Sequence, residues 1–297
     1  MNNKSLIIIL FIIFLTYCLF RKREGFESKG IEPVVAIASM MKNPKEIEYW
    51  LQYHIKKGIN HFYIRLEDTP DLHNFLQNHP NVTLEIGSSK DPIKTRVTYD
   101  TQIERQRDYM NRAIEWSKTR GIDWLIHIDC DELVDCNGSI PSQIAKEIEQ
   151  YDNVGTIVME NYEAQYEKIN QPSDSCFISK NFIRCSLGGC TSYANGKSIG
   201  KVSSALRESG PHRFETNDNS IEIVSKLLRI LHFESCDFKQ YVAKFLRLAS
   251  TETLVYPFPF YNDSINVARS EECKGDKHSA ACTRKFESLY SKYKIKR

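Results

Sequence analysis

An α/β fold, a mixed and mainly parallel sheet flanked by helices, is predicted by three observations. Short β-rich runs alternate with segments of helical period between residues 34 and 249. Two of those runs, at 34–38 and 124–128, are nearly continuous in apolar residues, as strands covered on both faces are. The second run empties into a carboxylate cluster, Asp129, Asp131 and Glu132, which a packed interior would not keep ionised without counter-charge. The cluster is therefore expected at a strand's exit.

The elements follow in order. A polar linker at 24–32 leads into the first strand at 34–38. Pro44 suits the opening of a helix that runs to Lys57, with Ile47, Trp50, Leu51, His54 and Ile55 on one face and Gly58 as its stop. A strand at 62–66, a short helix at 72–77 and a strand at 82–86 come next, then a long helix over 99–120 ended by Gly121. The strand at 124–128, a helix-like segment at 141–151 and a strand at 154–159 complete the pattern around the carboxylates. Residues 161–200 are polar, cysteine-rich and poorly periodic, and read as loops. The run at 221–233 reads as a strand carrying His232. The segment at 237–249 reads as an amphipathic helix burying Phe238, Tyr241, Val242, Phe245 and Leu248. Residues 251–297 read as a surface extension, which leaves one domain at 33–250.

Forty basic residues against thirty-eight acidic ones give a net charge of +2, with no one-signed block outside the termini and so no nucleic-acid footprint. Residues 6–20 carry no charge and lie between Lys4 and the triplet Arg21, Lys22, Arg23. At 1.5 Å per residue this run is about 22 Å long. With no small-x-small cleavage site behind it, residues 1–23 are expected to form a single-pass signal-anchor or signal segment. The basic flank would keep the domain facing the cytosol, whereas the cysteines favour a Golgi- or ER-type lumen. Of nine cysteines, Cys18 lies in the anchor and eight remain. Cys185 with Cys190 and Cys273 with Cys282 are the nearest partners, Cys130 reads as a free thiol, and the lack of any Cys-x-x-Cys argues against zinc.

Two aspartates one residue apart project the same way from an extended backbone, so Asp129 and Asp131 are expected to reach one hard cation. Mg²⁺ or Mn²⁺ carrying the phosphates of a nucleotide diphosphate fits that chemistry. His54, His127, Trp50, Trp116 and Trp124 read as core.

Four blocks in order carry a resemblance. They are Met41-Lys-Asn-Pro44 with Tyr49-Trp-Leu-Gln-Tyr-His54; Gly58-Ile-Asn-His-Phe-Tyr-Ile64 with Glu67-Asp-Thr-Pro-Asp71; the run from Asp123 to Glu132; and Leu231-His-Phe-Glu-Ser235 followed by Lys244. Together, over 34–249, they resemble glycosyltransferases of the GT-A fold, of family 92 and the related family 2-like proteins. The resemblance implies inverting, metal-dependent transfer of a hexose from a UDP-sugar or similar donor to a glycan or glycoprotein. It implies that Asp131, Asp129 and His232 hold the metal, with Asp129 on the donor as well, and that Glu132 orients the loop. Lys42, Asn43, Glu67, Asp68 and Asp71 would line the nucleotide pocket. Lys201, His212 and Arg213 would be counter-charges for the diphosphate, and Glu160 or Glu163 the general base.

Two positions depart from the family pattern. Tyr49 stands where Glu usually precedes the Trp, and Met159-Glu-Asn-Tyr-Glu163 stands where Trp and Phe-Gly are common. A metal-dependent nucleotidyltransferase or phosphohydrolase, or an inactive membrane-anchored sugar-nucleotide-binding protein, would carry many of the same features.

Overall fold

The first strand, β1 (Val35–Met41), is buried along its whole length, because parallel partners flank it on both edges: β2 (His61–Glu67) and β4 (Trp124–His127). The computed structural model describes residues 32–91, 101–169, 175–251, 256–276 and 279–295. The membrane segment expected at 1–23 and nearly all of the linker lie outside them. Among the described residues no helix is long and apolar enough to cross a membrane.

Beyond β2 lies β3 (Val82–Gly87), and beyond β4 lie β8 (Lys197–Lys201), β6 (Val154–Gln165), β11 (Ile221–His232) and β5 (Glu132–Cys136). The order is β3-β2-β1-β4-β8-β6-β11-β5, with β7 (Asn181–Arg184) paired to the far part of β6. β8, β5 and β7 run against the rest, so the sheet is mixed but mainly parallel, as predicted. A two-stranded ribbon, β9 (Leu206–Glu208) with β10 (Phe214–Thr216), lies apart from it.

Helix α1 (Ile47–Lys56) buries Ile47, Trp50, Leu51 and His54, the i, i+3, i+4, i+7 face seen in the sequence. His54 is a core residue with its tautomer fixed: Nδ1–H donates to Trp50 O at 2.9 Å and Nε2 accepts the Val134 N–H at 3.2 Å. Trp50 Nε1–H donates to Glu132 O at 2.8 Å, a second tie from α1 to β5. The short α2 (His73–Gln77), the long α3 (Thr101–Thr119) and α4 (Ile140–Ile148) follow. Ser139 caps α4 through its hydroxyl, which accepts the Ser142 N–H at 3.2 Å.

β11 is irregular: its pairing with β6 shifts between Val224 and Arg229. The buried Glu147 of α4 fills the gap by accepting from the Ser225 hydroxyl and the Lys226 N–H at 2.6 Å and the Leu227 N–H at 2.7 Å. The shift sets the register that places His232 opposite Glu163.

Two expectations are corrected here. The stretch read as loops contains β7, β8 and the buried end of β6, because short strands packed edge to edge carry little period of their own. The residues read as a surface extension form α6 (Pro259–Ala268), α7 (Glu271–Gly275) and α8 (Ala280–Lys294), behind α5 (Phe238–Thr251). Phe260, Phe286 and Tyr290 are buried against Tyr241 and Phe245 of α5, so this stretch belongs to the main core. The disulfides Cys185–Cys190 and Cys273–Cys282 form as the spacing suggested, and a third, Cys176–Cys236, spans 60 residues. Cys130 and Cys136 are free.

Burial holds the His54 imidazole well below its ordinary range, at about 3, against the help of its bond to Trp50. Its neutral form therefore stabilises the fold fully above about pH 6.5, and that contribution is lost as pH falls from there toward 3. His54→Gln is expected to flatten this acid limb in urea-unfolding stability measured from pH 7 to 4. A slope identical to that of the wild type would contradict it.

Candidate functional site

The carboxylates leave β4 in a tight turn, closed by Glu132 N–H donating to Asp129 O at 3.2 Å, with β5 starting at once. This corrects the expectation of an extended Asp-x-Asp ledge: on a turn the two aspartates diverge. Asp129 Oδ2 accepts from Lys197 Nζ at 2.7 Å and Oδ1 from Gln106 at 3.2 Å. Asp131 points the other way, its Oδ2 3.6 Å from His232 Nε2. Glu132 orients the turn, as expected: its buried carboxylate accepts the Asp129 N–H at 2.7 Å and the Tyr193 hydroxyl.

Lys197 is fully buried and also donates to Pro211 O at 2.9 Å, with Glu132 Oε2 at 3.6 Å. Burial works against its charge, but Asp129 and Glu132 more than offset this and raise its pKa. In turn, burial would raise the Asp129 pKa, yet Lys197 holds it down at about 2. Burial pushes the Glu132 carboxyl up to about 7 despite Lys197. Gly196 lets the lysine in. Its φ is +67°, and a Cβ there would lie 1.9 Å from Met159 O.

Asp131, His232 and Glu234 bring one ligand atom each to within 4.8 Å of one another. His232 Nε2 is 3.7 Å from Glu234 Oε2. Two carboxylates and an imidazole nitrogen form a donor set suited to Mn²⁺ or Mg²⁺. Glu234 is also bonded by Lys244 at 3.2 Å and by the Tyr261 hydroxyl at 3.2 Å. Asp131, Glu234 and Lys244 border a cavity of about 170 Å³, also lined by Lys42, Asn43, Lys45 and Asp237. Asn43, Ser235 and Asp68 hold left-handed backbone conformations, φ 48°, 58° and 45°. Strained non-glycine residues of this kind gather at functional sites.

The other residues singled out in the sequence are distributed unevenly. Lys42 pairs with Asp68 at 2.8 Å, and the Asn43 N–H donates to Thr69 at 2.9 Å, joining the ends of β1 and β2 beside the cavity. Lys42, Ser89 and Ser88 keep Asp68 well below the usual carboxylate range. Glu67 is buried and taken up by Arg65 at 3.0 Å and Arg105 at 2.7 Å, while Asp71 is exposed on a following 3-10 turn.

Lys201 pairs opposite Trp124, at the entry of β4, roughly 13 Å of strand from the site end where Lys197 lies. Burial together with Lys197 lowers the His212 pKa to about 3, so it is neutral and not a counter-charge. Arg213 donates to the carbonyl of His212 at 3.2 Å. Neither candidate base borders the cavity. Glu160 is bound by Arg184 at 2.6 Å and Ser186 at 3.0 Å, and Glu163, on the opposite face of β6, is buried among Thr191, Ser192 and Lys294.

Glu234 and Lys197 are the residues that the sequence reading missed. Glu234 stood inside a quoted motif, two residues after His232. Lys197 carried no local signal beyond the glycine before it.

No family model matches the chain. It is similar to two proteins of Arabidopsis thaliana named glycosyltransferase-like. One is 25% identical over 236 residues, 66% of this chain and 52% of the relative. The other is 24% identical over 225 residues, 62% and 43% respectively. The chain thus spans about half the length of the curated relatives it matches. Among solved structures, HddC from Yersinia pseudotuberculosis matches with a TM-score of 0.35 and 9% identity, over 70% of this chain and 96% of that one. A likeness of that degree bears on neither the site nor the activity.

Lys197→Met leaves the buried Glu132 and the part-exposed Asp129 without their cation and is expected to cost about 1–3 kcal/mol. Combined with Asp129→Asn it should cost less than the sum of the single changes in chemical denaturation. Strict additivity would show that the pair is not coupled.

Proposed function

We propose that this chain is a metal-dependent, inverting glycosyltransferase of the GT-A type, taking a hexose from a nucleotide-diphosphate sugar such as a UDP-sugar to a glycan or glycoprotein hydroxyl. One observation carries the reading: Asp131, His232 and Glu234 converge beside Lys244 where β4 and β11 end, on a cavity bordered by Lys42 and Lys45. In sheets of this kind ligands gather at the carboxyl ends of the strands. The glycosyltransferase-like names of the two relatives support the transferase class. Three disulfides support an oxidising lumen for the domain, with residues 1–23 as its membrane segment.

Mn²⁺ or Mg²⁺ held by Asp131, His232 and Glu234 would supply positive charge to the departing diphosphate. Lys244 and Lys42 add ammonium groups to the same cavity, which Asn43 borders, and Asp68 holds Lys42 from outside it. Asp129, taken up by Lys197 and Gln106, is not offered to the ion. In the transfer, the acceptor oxygen bonds to the anomeric carbon as that carbon's bond to the diphosphate breaks, and a carboxylate takes the hydroxyl proton.

Asp131 and Glu234 are committed to the ion, so among the carboxylates that border the cavity Asp237 takes the base role. Burial works against its charge, but its pairing with Lys45 and the Gln240 N–H keeps it ionised.

Asp131→Ala is expected to abolish Mn²⁺-stimulated UDP release from UDP-sugars while circular dichroism stays unchanged. Full activity in that variant would defeat the reading, and release of pyrophosphate in place of UDP would point to nucleotidyl transfer. Asp237→Asn keeps the helix cap, since Asn accepts the same N–H. It should lower kcat by about 10²–10⁴-fold with donor KM little changed. A kcat within threefold of wild type would remove Asp237 from the base role.

A further inference from the structure

The last turn of α8 carries a lysine that is only 1% exposed, 131 positions along the chain from the carboxylate it meets. Lys294 Nζ donates to Glu163 Oε1 at 2.9 Å and lies 3.2 Å from Thr191 Oγ1. Both Glu163 oxygens are filled. They accept the Thr191 N–H at 3.1 Å, the Thr191 hydroxyl, the Ser192 N–H at 3.0 Å and the Ser192 hydroxyl at 2.5 Å.

A serine hydroxyl has one proton to give. With that proton on Glu163, Ser192 Oγ is left to accept, and the atom facing it at 3.1 Å is Nδ1 of His232. His232 Nδ1 therefore carries a hydrogen, and Nε2 is the nitrogen turned toward Asp131 and Glu234. The same helix grips the other side of the cluster, where the Tyr290 hydroxyl donates to Ser235 O at 2.7 Å beside Glu234.

We infer that Lys294 and Ser192 are positioning residues for the ion site: Lys294 pins Glu163, Glu163 draws the Ser192 proton, and Ser192 fixes the His232 ring with Nε2 presented as a ligand. This rests on the proposed metal reading of Asp131, His232 and Glu234. Hydrogen bonds to the far nitrogen of a ligating histidine fix its tautomer and orientation, and their loss weakens metal binding by about 10–100-fold. Without the ammonium, Glu163 would face only the neutral donors of Thr191 and Ser192 in a buried pocket, and its charge, and with it its pull on the Ser192 hydroxyl, would weaken.

The test is Mn²⁺ titration by calorimetry on the full chain, with folding checked by circular dichroism. Ser192→Ala and Lys294→Met are expected to weaken Mn²⁺ binding about 10–100-fold. Ser192→Thr and Lys294→Arg, which keep a hydroxyl and a cation, should stay within about fivefold of wild type, a rescue that simple loss of packing does not give. Should Lys294→Met fail to fold, Ser192→Ala against Ser192→Thr decides the matter. Binding by Ser192→Ala within twofold of wild type overturns the inference while leaving the ion site standing. Failure of the wild type to take up Mn²⁺, or uptake undiminished in Asp131→Ala, overturns the ion site itself.

Discussion

The fully buried ammonium of Lys197 is the contact on which the rest of the site depends. A turn that places Asp129, Asp131 and Glu132 within four residues concentrates negative charge where β4 and β5 meet, and Glu132 has no exposure to water at all. Charges of this kind persist only when paired and hydrogen-bonded. Lys197 supplies the pairing for Asp129 and lies near Glu132, while Glu132 fixes the turn through the Asp129 N–H. With those two satisfied, Asp131 alone faces His232. The same balance recurs one strand over, where Lys244 answers Glu234 and Lys294 answers Glu163. Around the site, lysines from three different elements answer its carboxylates: Lys197 for Asp129 and Glu132, Lys244 for Glu234 and Lys294 for Glu163.

Much of the fold was legible because its central strands are apolar on both faces and its helices carry one clear stripe. β1, β4, α1 and α5 fall close to where period and breakers put them. What failed has a common cause. β5 begins at Glu132 inside the carboxylate cluster, where polar residues mask a strand whose partner, β11, arrives about 90 positions later in the sequence. α6 to α8 look like a surface extension because their apolar residues are spaced among lysines. Only the aromatic faces of α5 show what Phe260, Phe286 and Tyr290 are for.

The site divides along the same line. Asp131, His232, Lys42, Asn43 and Asp68 gather at one end of the sheet, and each stood at the predicted end of a strand. Lys201 illustrates what linear reading cannot supply. It and Lys197 belong to the same antiparallel strand, and only the strand's direction decides which of them meets Asp129. Glu163 illustrates the converse. An acid just past a strand's apolar run looks free to act, yet its neighbours Thr191 and Ser192 and the distant Lys294 fill it completely.

The donor set also bears on how many ions the site can hold. Two-ion chemistry needs carboxylates shared between centres about 4 Å apart. Around Asp131 the nearby acids are committed elsewhere: Asp129 to Lys197 and Gln106, Glu132 to Tyr193 and the turn, and Glu163 to Lys294. On the proposed reading, one ion would exhaust what Asp131, His232 and Glu234 offer. A single ion beside Lys244 would meet the charge growing on a leaving diphosphate and would leave no second centre to activate the attacking oxygen. Deprotonation of the nucleophile would then fall to a protein carboxylate outside the cluster. Among the acids bordering the same cavity, the one that the ion does not take is Asp237, at the cap of α5 and paired with Lys45.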